Sequence, residues 1–412
     1  MSFKEDTVTT DSNLLTQRST VLTLAQTRSG LSSDIACGLA VANVYYNQPL
    51  LAHMGRSLNI SVQQVGFIPT LTQTGYAVGL LLLVPLGDMM ERCWLIIIML
   101  SLLACALVVE ATAPNLVWLS VSSFVVGFCS IVAHLVIPLV AHLTHPSERG
   151  KAIGMLLSGM ILSVLLARSV SGIIGEYFGW RAVYGISAGV MLVLALVIQG
   201  RIPQSKPSSP LSYQQLMQSL VQLVREQPVL REAALNVALV FAAFNATWVS
   251  LVFLLESPAY NYDSRVAGLF GLVGLIGVFT TPIVGRVADK RGPRMLVGIA
   301  VILSLSAFVI LWIAGGTHLM GLILGMLLVD LGMHTGYVSN QIRIYNLVPN
   351  AESRLNTVYM VTNYTGGALG SFLGTYTWGL WQWNGVCALG FFLLVVAFIA
   401  HFSVGKRKSP AV

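Results

Sequence analysis

Residues 285–296 read GRVADKRGPRML, which sets Asp289 among Arg286, Lys290, Arg291 and Arg294. That is a dense knot of charge for a chain in which only 9 % of residues are charged. A shorter version, GDMMERCWLI, occupies residues 87–96 and carries Asp88 and Arg92. Asp88 and Asp289 stand 201 positions apart, Arg149 and Arg354 205, and the tryptophans of GWRAVYGI (Trp180) and QWNGVCAL (Trp383) 203. Three landmarks in one order at nearly one spacing make the chain two halves that run in the same direction.

What separates the landmarks is apolar. The chain has 412 residues, 55 % of them hydrophobic, with a mean hydropathy of +0.77. A water-soluble domain carries about a quarter charged residues, so this chain is expected to lie in a membrane. Twelve runs are each long enough to cross a hydrocarbon layer of about 30 Å as a helix. They fall near 31–53, 65–87, 93–112, 115–142, 150–177, 180–202, 232–256, 265–289, 294–315, 317–345, 354–380 and 384–403. The expected organisation is a tail (1–30), a six-helix bundle (31–202), a linker (203–231), a second bundle (232–403) and a tail (404–412). Residues 1–30 are polar, so no cleavable signal peptide is expected. The linker holds one amphipathic segment, from Tyr213 to Arg225.

Charge sets the orientation. With the N-terminus in the cytoplasm, nineteen of the 23 Lys and Arg residues fall inside. Three (Arg56, Arg181, Arg265) fall outside, and one, Arg168, sits within a span. Positive residues gather on the cytoplasmic side of membrane proteins, so both termini are expected there. The net charge of +7 is therefore a topology signal and no sign of nucleic-acid binding. The five cysteines lie in or beside spans without CxxC spacing, and neither a metal nor a cofactor is expected. HExxH and nucleotide-loop patterns are absent, which argues against a zinc hydrolase and against ATP-driven transport, and no enzyme activity is expected.

Parallel repeats of this kind describe transporters whose site lies between the halves near the membrane midplane. GRVADKRGPR resembles the signature loop of the major facilitator superfamily, and the segment from Gly87 to Arg92 resembles its first copy. In that copy Met90 and Glu91 replace the usual x-Gly pair. The resemblance implies an all-α membrane fold of 12 transmembrane helices, two six-helix bundles in a pseudo-twofold arrangement. It further implies gating roles for Asp88, Arg92, Asp289, Arg291 and Arg294, and a monomer. ANVYYNQPLL (42–51), VLLARSVSG (164–172) and SNQIRIYNLVP…SRLNTVYM (339–360) are similar to a bacterial subgroup of sugar-efflux and drug-efflux-like facilitators. Antiporters of the superfamily usually carry Gly-Pro where this chain has Ala167-Arg168, and an arginine where it has Ser123.

Polar residues inside the spans are the candidate site. Arg168 lies about 13 Å along span 5 from its outer end, at 1.5 Å per residue. An arginine isolated there costs from about 3 to more than 10 kcal/mol, so it faces either an ion-pair partner or a wet cavity. Two acids fall clearly within spans, Asp34 and Asp330, and a carboxyl in low dielectric can carry a proton through a transport cycle. Asp34 is equally suited to a helix cap. Asp330 is followed at i+4 by His334, on the same helix face, which suits a charged pair or proton relay. His134 divides between packing and substrate contact. Span 1 offers Asn43, Tyr46 and Asn47 on one face and Tyr45 and Gln48 on another, although the two tyrosines also suit an interfacial belt. Asn245, Trp248, Tyr359 and Asn363 supply the opposite half.

These residues point to a secondary active transporter exporting a small molecule against proton entry. The alternative is a symporter taking up a small organic anion, and a remote one is a transporter-like sensor. The expected partners are a small-molecule substrate, protons and membrane lipid, and the expected location is the bacterial inner membrane.

Overall fold

The computed structural model describes residues 37–87, 89–143, 149–201, 212–348 and 351–404. Every regular element among them is helical. The first half begins with α1 (37–42), which unwinds over residues 43–47 into a 3-10 turn, Gln48–Leu50. Pro49 lacks an amide hydrogen and so suits the start of a new helix, α2 (Leu51–Leu58). Then follow α3 (Val62–Val65), α4 (Phe67–Gly87), α5 (Arg92–Ala111), α6 (Leu116–Cys129), α7 (Val132–Leu143), α8 (Arg149–Phe178) and α9 (Trp180–Arg201). The amphipathic linker helix is α10 (Tyr213–Glu226), opened by a reciprocal Ser212–Gln215 cap.

The second half comprises α11 (Pro228–Glu256), α12 (Ser264–Leu269), a 3-10 segment (Phe270–Gly274), α13 (Leu275–Arg291), α14 (Pro293–Ile313), α15 (Leu319–Tyr345) and α16 (Glu352–Val404). The last is 53 residues long and is bent where Trp381 and Gln382 leave helical geometry, at the boundary expected between two spans.

Among the described residues, nine helices are long and apolar enough to cross a membrane, against the twelve runs expected. The shortfall has local causes. The first run is broken at 43–47 and the eighth by the 3-10 segment, while both arms of α16 count as one. The fourth run also bends, at Ser130–Ile131 between α6 and α7.

Within the first half α4 packs on α6 and α5 on α9; within the second α11 packs on α16 and α14 on α15. The α11–α16 seam is set by residue size. A Cβ at Gly366, Gly370 or Gly374 would stand 2.1–2.7 Å from backbone atoms of Ala238, Ala242 and Ala246 respectively. Small residues every fourth position let two backbones approach closely, which drives helix association where lipid removes the hydrophobic driving force. Large side chains such as Trp118, Leu196 and Phe392 face outward. The halves meet where α4 lies against α16, where α8 lies against α12, and where α11 meets the Gln48–Leu50 turn.

Candidate functional site

The break at 43–47 is followed directly by Gln48, whose amide lies between the two halves. Arg168, on α8, is 1 % exposed, and its Nε donates to Gln48 Oε1 at 2.7 Å. Gln48 Nε2 donates to Asn245 Oδ1 (3.4 Å), which also accepts from Gln73 Nε2 (2.5 Å). The guanidinium lies 4.0 Å from the Trp248 ring, 5.0 Å from Tyr45 and 5.7 Å from Phe244. Ring faces attract a cation, more so where water is excluded. Two halves of the chain thus share one buried polar centre, built from α8, α4, the Gln48–Leu50 turn and α11.

Asp330, on α15, is equally buried, and its Oδ1 lies 3.3 Å from where a Cβ on Gly274 would stand. Arg168 and Asp330 interact electrostatically, yet no ion pair joins them. Gly271, one 3-10 turn before Gly274, lies against Arg168: its Cβ would sit 3.1 Å from that of the arginine. In a 3-10 helix residues three apart share a face. One glycine face therefore carries both residues, and neither could be approached so closely past a larger side chain.

Of the other expected site residues, Asn47 donates at 3.2 Å to Oγ1 of Thr72, the residue preceding Gln73. Trp248 and Asn363 are buried, and both keep a polar atom without a partner. Asn43 and Tyr46 turn elsewhere, Asn43 reaching Met191 Sδ at 3.6 Å and Tyr46 lying beside Ser187, both on α9. Tyr359 is also remote, its hydroxyl donating to the Tyr337 carbonyl at 2.9 Å. His334 is less buried than Asp330, and no hydrogen bond or ion pair joins the two.

His134 lines a cavity of about 360 Å³ with Leu80, Gly87, Arg92, Glu352 and Met360, at the end that carries the signature loops. Rings connect this cavity to the centre. His134 meets Tyr76 edge-on (6.0 Å), Tyr76 meets Tyr364 (4.2 Å), Tyr364 meets Phe241 (5.7 Å), Phe241 stacks on Phe244 (5.7 Å), and Phe244 lies 5.7 Å from the Arg168 guanidinium. The opposite end is shut. Ser169 Oγ donates to the Gly268 carbonyl (2.9 Å), a Cβ on Gly268 would stand 2.8 Å from the Arg168 carbonyl, and Arg56 pairs with Glu256 across the halves.

Among the gating candidates, Arg92 Nε donates to the Gly87 carbonyl (3.0 Å) and Arg294 Nη2 to that of His401 (3.3 Å). Arg291 is exposed in the last turn of α13. Asp34 and Asp88 lie outside the described residues, as does the side chain of Asp289.

Sequence reasoning passed over Gln73, although TLTQTGY (70–76) is conspicuously polar for a span. The expectation of only two intramembrane acids is also corrected. Glu110 and Glu232 are 1 % and 4 % exposed; each sits near a span end, where an acid is ordinarily solvated. Glu110 accepts from Ser123 Oγ (2.8 Å), whereas Glu232 is bound by Arg343 Nη2 (2.7 Å) and His401 Nδ1 (2.9 Å).

An apolar chain whose described elements are all helical, with a buried polar centre shared by its two halves, is a membrane protein. The chain belongs to the Major Facilitator Superfamily, whose pattern matches residues 35–375. It is a multi-pass membrane transporter and not an enzyme. It is similar to "Uncharacterized transporter YgaY" of Escherichia coli O157:H7, with 39 % identity over 92 % of this chain and 96 % of that one. It is also similar to "Probable sugar efflux transporter" of Helicobacter pylori strain 26695, with 24 % identity over 79 % and 82 %. In fold it matches the crystal structure of nucleoside transporter NupG, with a TM-score of 0.75 at 14 % identity over 93 % and 100 %.

Proposed function

We propose that the protein exports a small molecule in exchange for protons, with Asp330 carrying the proton and Arg168 setting when it leaves. The observation that supports this reading is the buried, separated pair itself: Asp330 comes from one half and Arg168 from the other. A nearby cation favours an ionised carboxylate, so a change in their separation during the cycle loads or unloads the proton. The sugar-efflux relative supports the outward direction. The pair acts within twelve spans in two bundles, 31–202 and 232–403, joined by the 203–231 linker. In this arrangement α1–α2, α6–α7 and α12–α13 count as one span each, and α16 as two. The cavity faces the cytoplasm, both termini lie there, and the membrane is the bacterial inner one.

Proteoliposomes holding a pH-sensitive dye, given a substrate found by thermal stabilisation, test the reading, because binding stabilises the folded state. Protons are expected to move opposite to substrate, and Asp330→Asn is expected to abolish gradient-driven accumulation. Symport of an organic anion is the competing reading, favoured by the partnerless Nη2 of Arg168. Protons and substrate moving together would establish it instead, and no proton movement would remove coupling altogether.

A further inference from the structure

Two opposite charges withdrawn from water attract strongly, so their failure to meet needs a restraint. Arg168 has one. Its Nε is tied to Gln48, which is tied to Asn245, and its plane is held over Trp248. Asp330 sits on another helix against Gly274. Each is left with one unused atom: Arg168 Nη2 and Asp330 Oδ2 are both buried without a hydrogen-bond partner. A buried polar atom left unpaired destabilises the fold, more so where the group is charged. Such atoms call for an explanation, and a ligand is one.

We propose that this centre takes a zwitterion of the neutral α-amino-acid class, its carboxylate on Arg168 and its ammonium on Asp330. This rests on the transport reading given above. A guanidinium presents a planar fork matched to a carboxylate, and an ionised carboxylate accepts from an ammonium. One guest satisfies both unused atoms and leaves the buried charge balanced. An organic anion alone would bring a second negative group beside Asp330, and a neutral sugar would leave both charges unmatched. The titratable neighbours of Asp330 among the described residues are Arg168 and, one turn on, His334.

The class of guest also explains exchange. An ammonium needs Asp330 ionised, so the arriving amino acid displaces the proton, and a proton arriving from the other side displaces the amino acid. Substrate and proton compete for one carboxylate.

The test uses purified full-length protein and three molecules of one shape: L-leucine, 4-methylpentanoate without the ammonium, and 3-methylbutylamine without the carboxylate. Leucine is expected to raise the melting temperature and to bind at least tenfold more tightly than either fragment. Its affinity is expected to fall as the pH is lowered. Arg168→Lys is expected to weaken leucine binding at least tenfold, read as a smaller leucine-induced rise over the variant's own unliganded melting temperature. Equal binding of leucine and a fragment, failure of leucine to bind, or leucine affinity that does not change with pH each overturns the proposal. If D-glucose binds instead and drives counter-movement of protons, the substrate class is wrong while proton-coupled export stands.

Discussion

Glu232 is held at three points: Arg343 Nη2 at 2.7 Å, Arg343 Nη1 at 3.3 Å and His401 Nδ1 at 2.9 Å. Arg343 also donates to Asn340 Oδ1 (2.9 Å), and Asn340 Nδ2 donates to Asn236 Oδ1 (3.1 Å), so α11, α15 and the end of α16 are pinned together. Removing one partner of a buried ion pair strands the other, a loss of about 3–5 kcal/mol. Glu232→Ala is accordingly expected to lower the melting temperature sharply in detergent. Replacing both partners with apolar residues of similar size is often neutral. The pair Glu232→Leu with Arg343→Met is therefore expected to recover most of the loss. Failure to recover would assign the network a role beyond stability. None of this was legible in the sequence, because three residues separated by 58 to 169 positions meet only after the helices pack.

At the scale of elements, glycine position decides more than glycine count. A Cβ at Gly370 would stand 2.1 Å from the Ala242 carbonyl, whereas one at Gly185 on α9 would have nothing within 4 Å. Gly370→Ala is expected to cost about 1–3 kcal/mol through overpacking of the α11–α16 seam. Gly185→Ala is expected to stabilise by up to about 1 kcal/mol through helix propensity. Thermal unfolding of the two variants checks both signs. Apolar runs reveal where helices lie, since hydropathy is additive along a chain. They do not reveal breaks. The unwinding at 43–47 and the 3-10 segment at Phe270–Gly274 depend on side chains that turn toward another helix or on a neighbour pressed against glycine.

For the whole molecule, the end opposite the cavity is latched by Arg56 and Glu256, with Glu176 nearby accepting from Ser264 Oγ (2.8 Å) and lying 3.3 Å from His53. An exposed ion pair contributes about 0–1 kcal/mol, so it biases the open–closed balance by no more than about fivefold. Arg56→Glu is expected to shift the population toward opening at this end, read as a longer distance between spin labels at Asn59 and Asn261. Adding Glu256→Arg should restore the distribution. An unchanged distribution in the single variant would show that the backbone contact of α8 with residues 264–274 closes this end unaided.

Composition, the spacing of charges and the duplicated landmarks were enough to place the chain among all-helical membrane transporters of one superfamily. These features are one-dimensional: they concern how long an apolar run is and where basic residues fall along the chain. Which polar residues form a centre was decided only in three dimensions. Asn43 and Asn47 are a single turn apart, yet the unwound segment sends one toward Met191 and the other toward Thr72. Gln73 joins Arg168 only through Gln48 and Asn245, one from each half. A helix repeat predicts the face a residue shares, but the packing of distant helices chooses what that face meets.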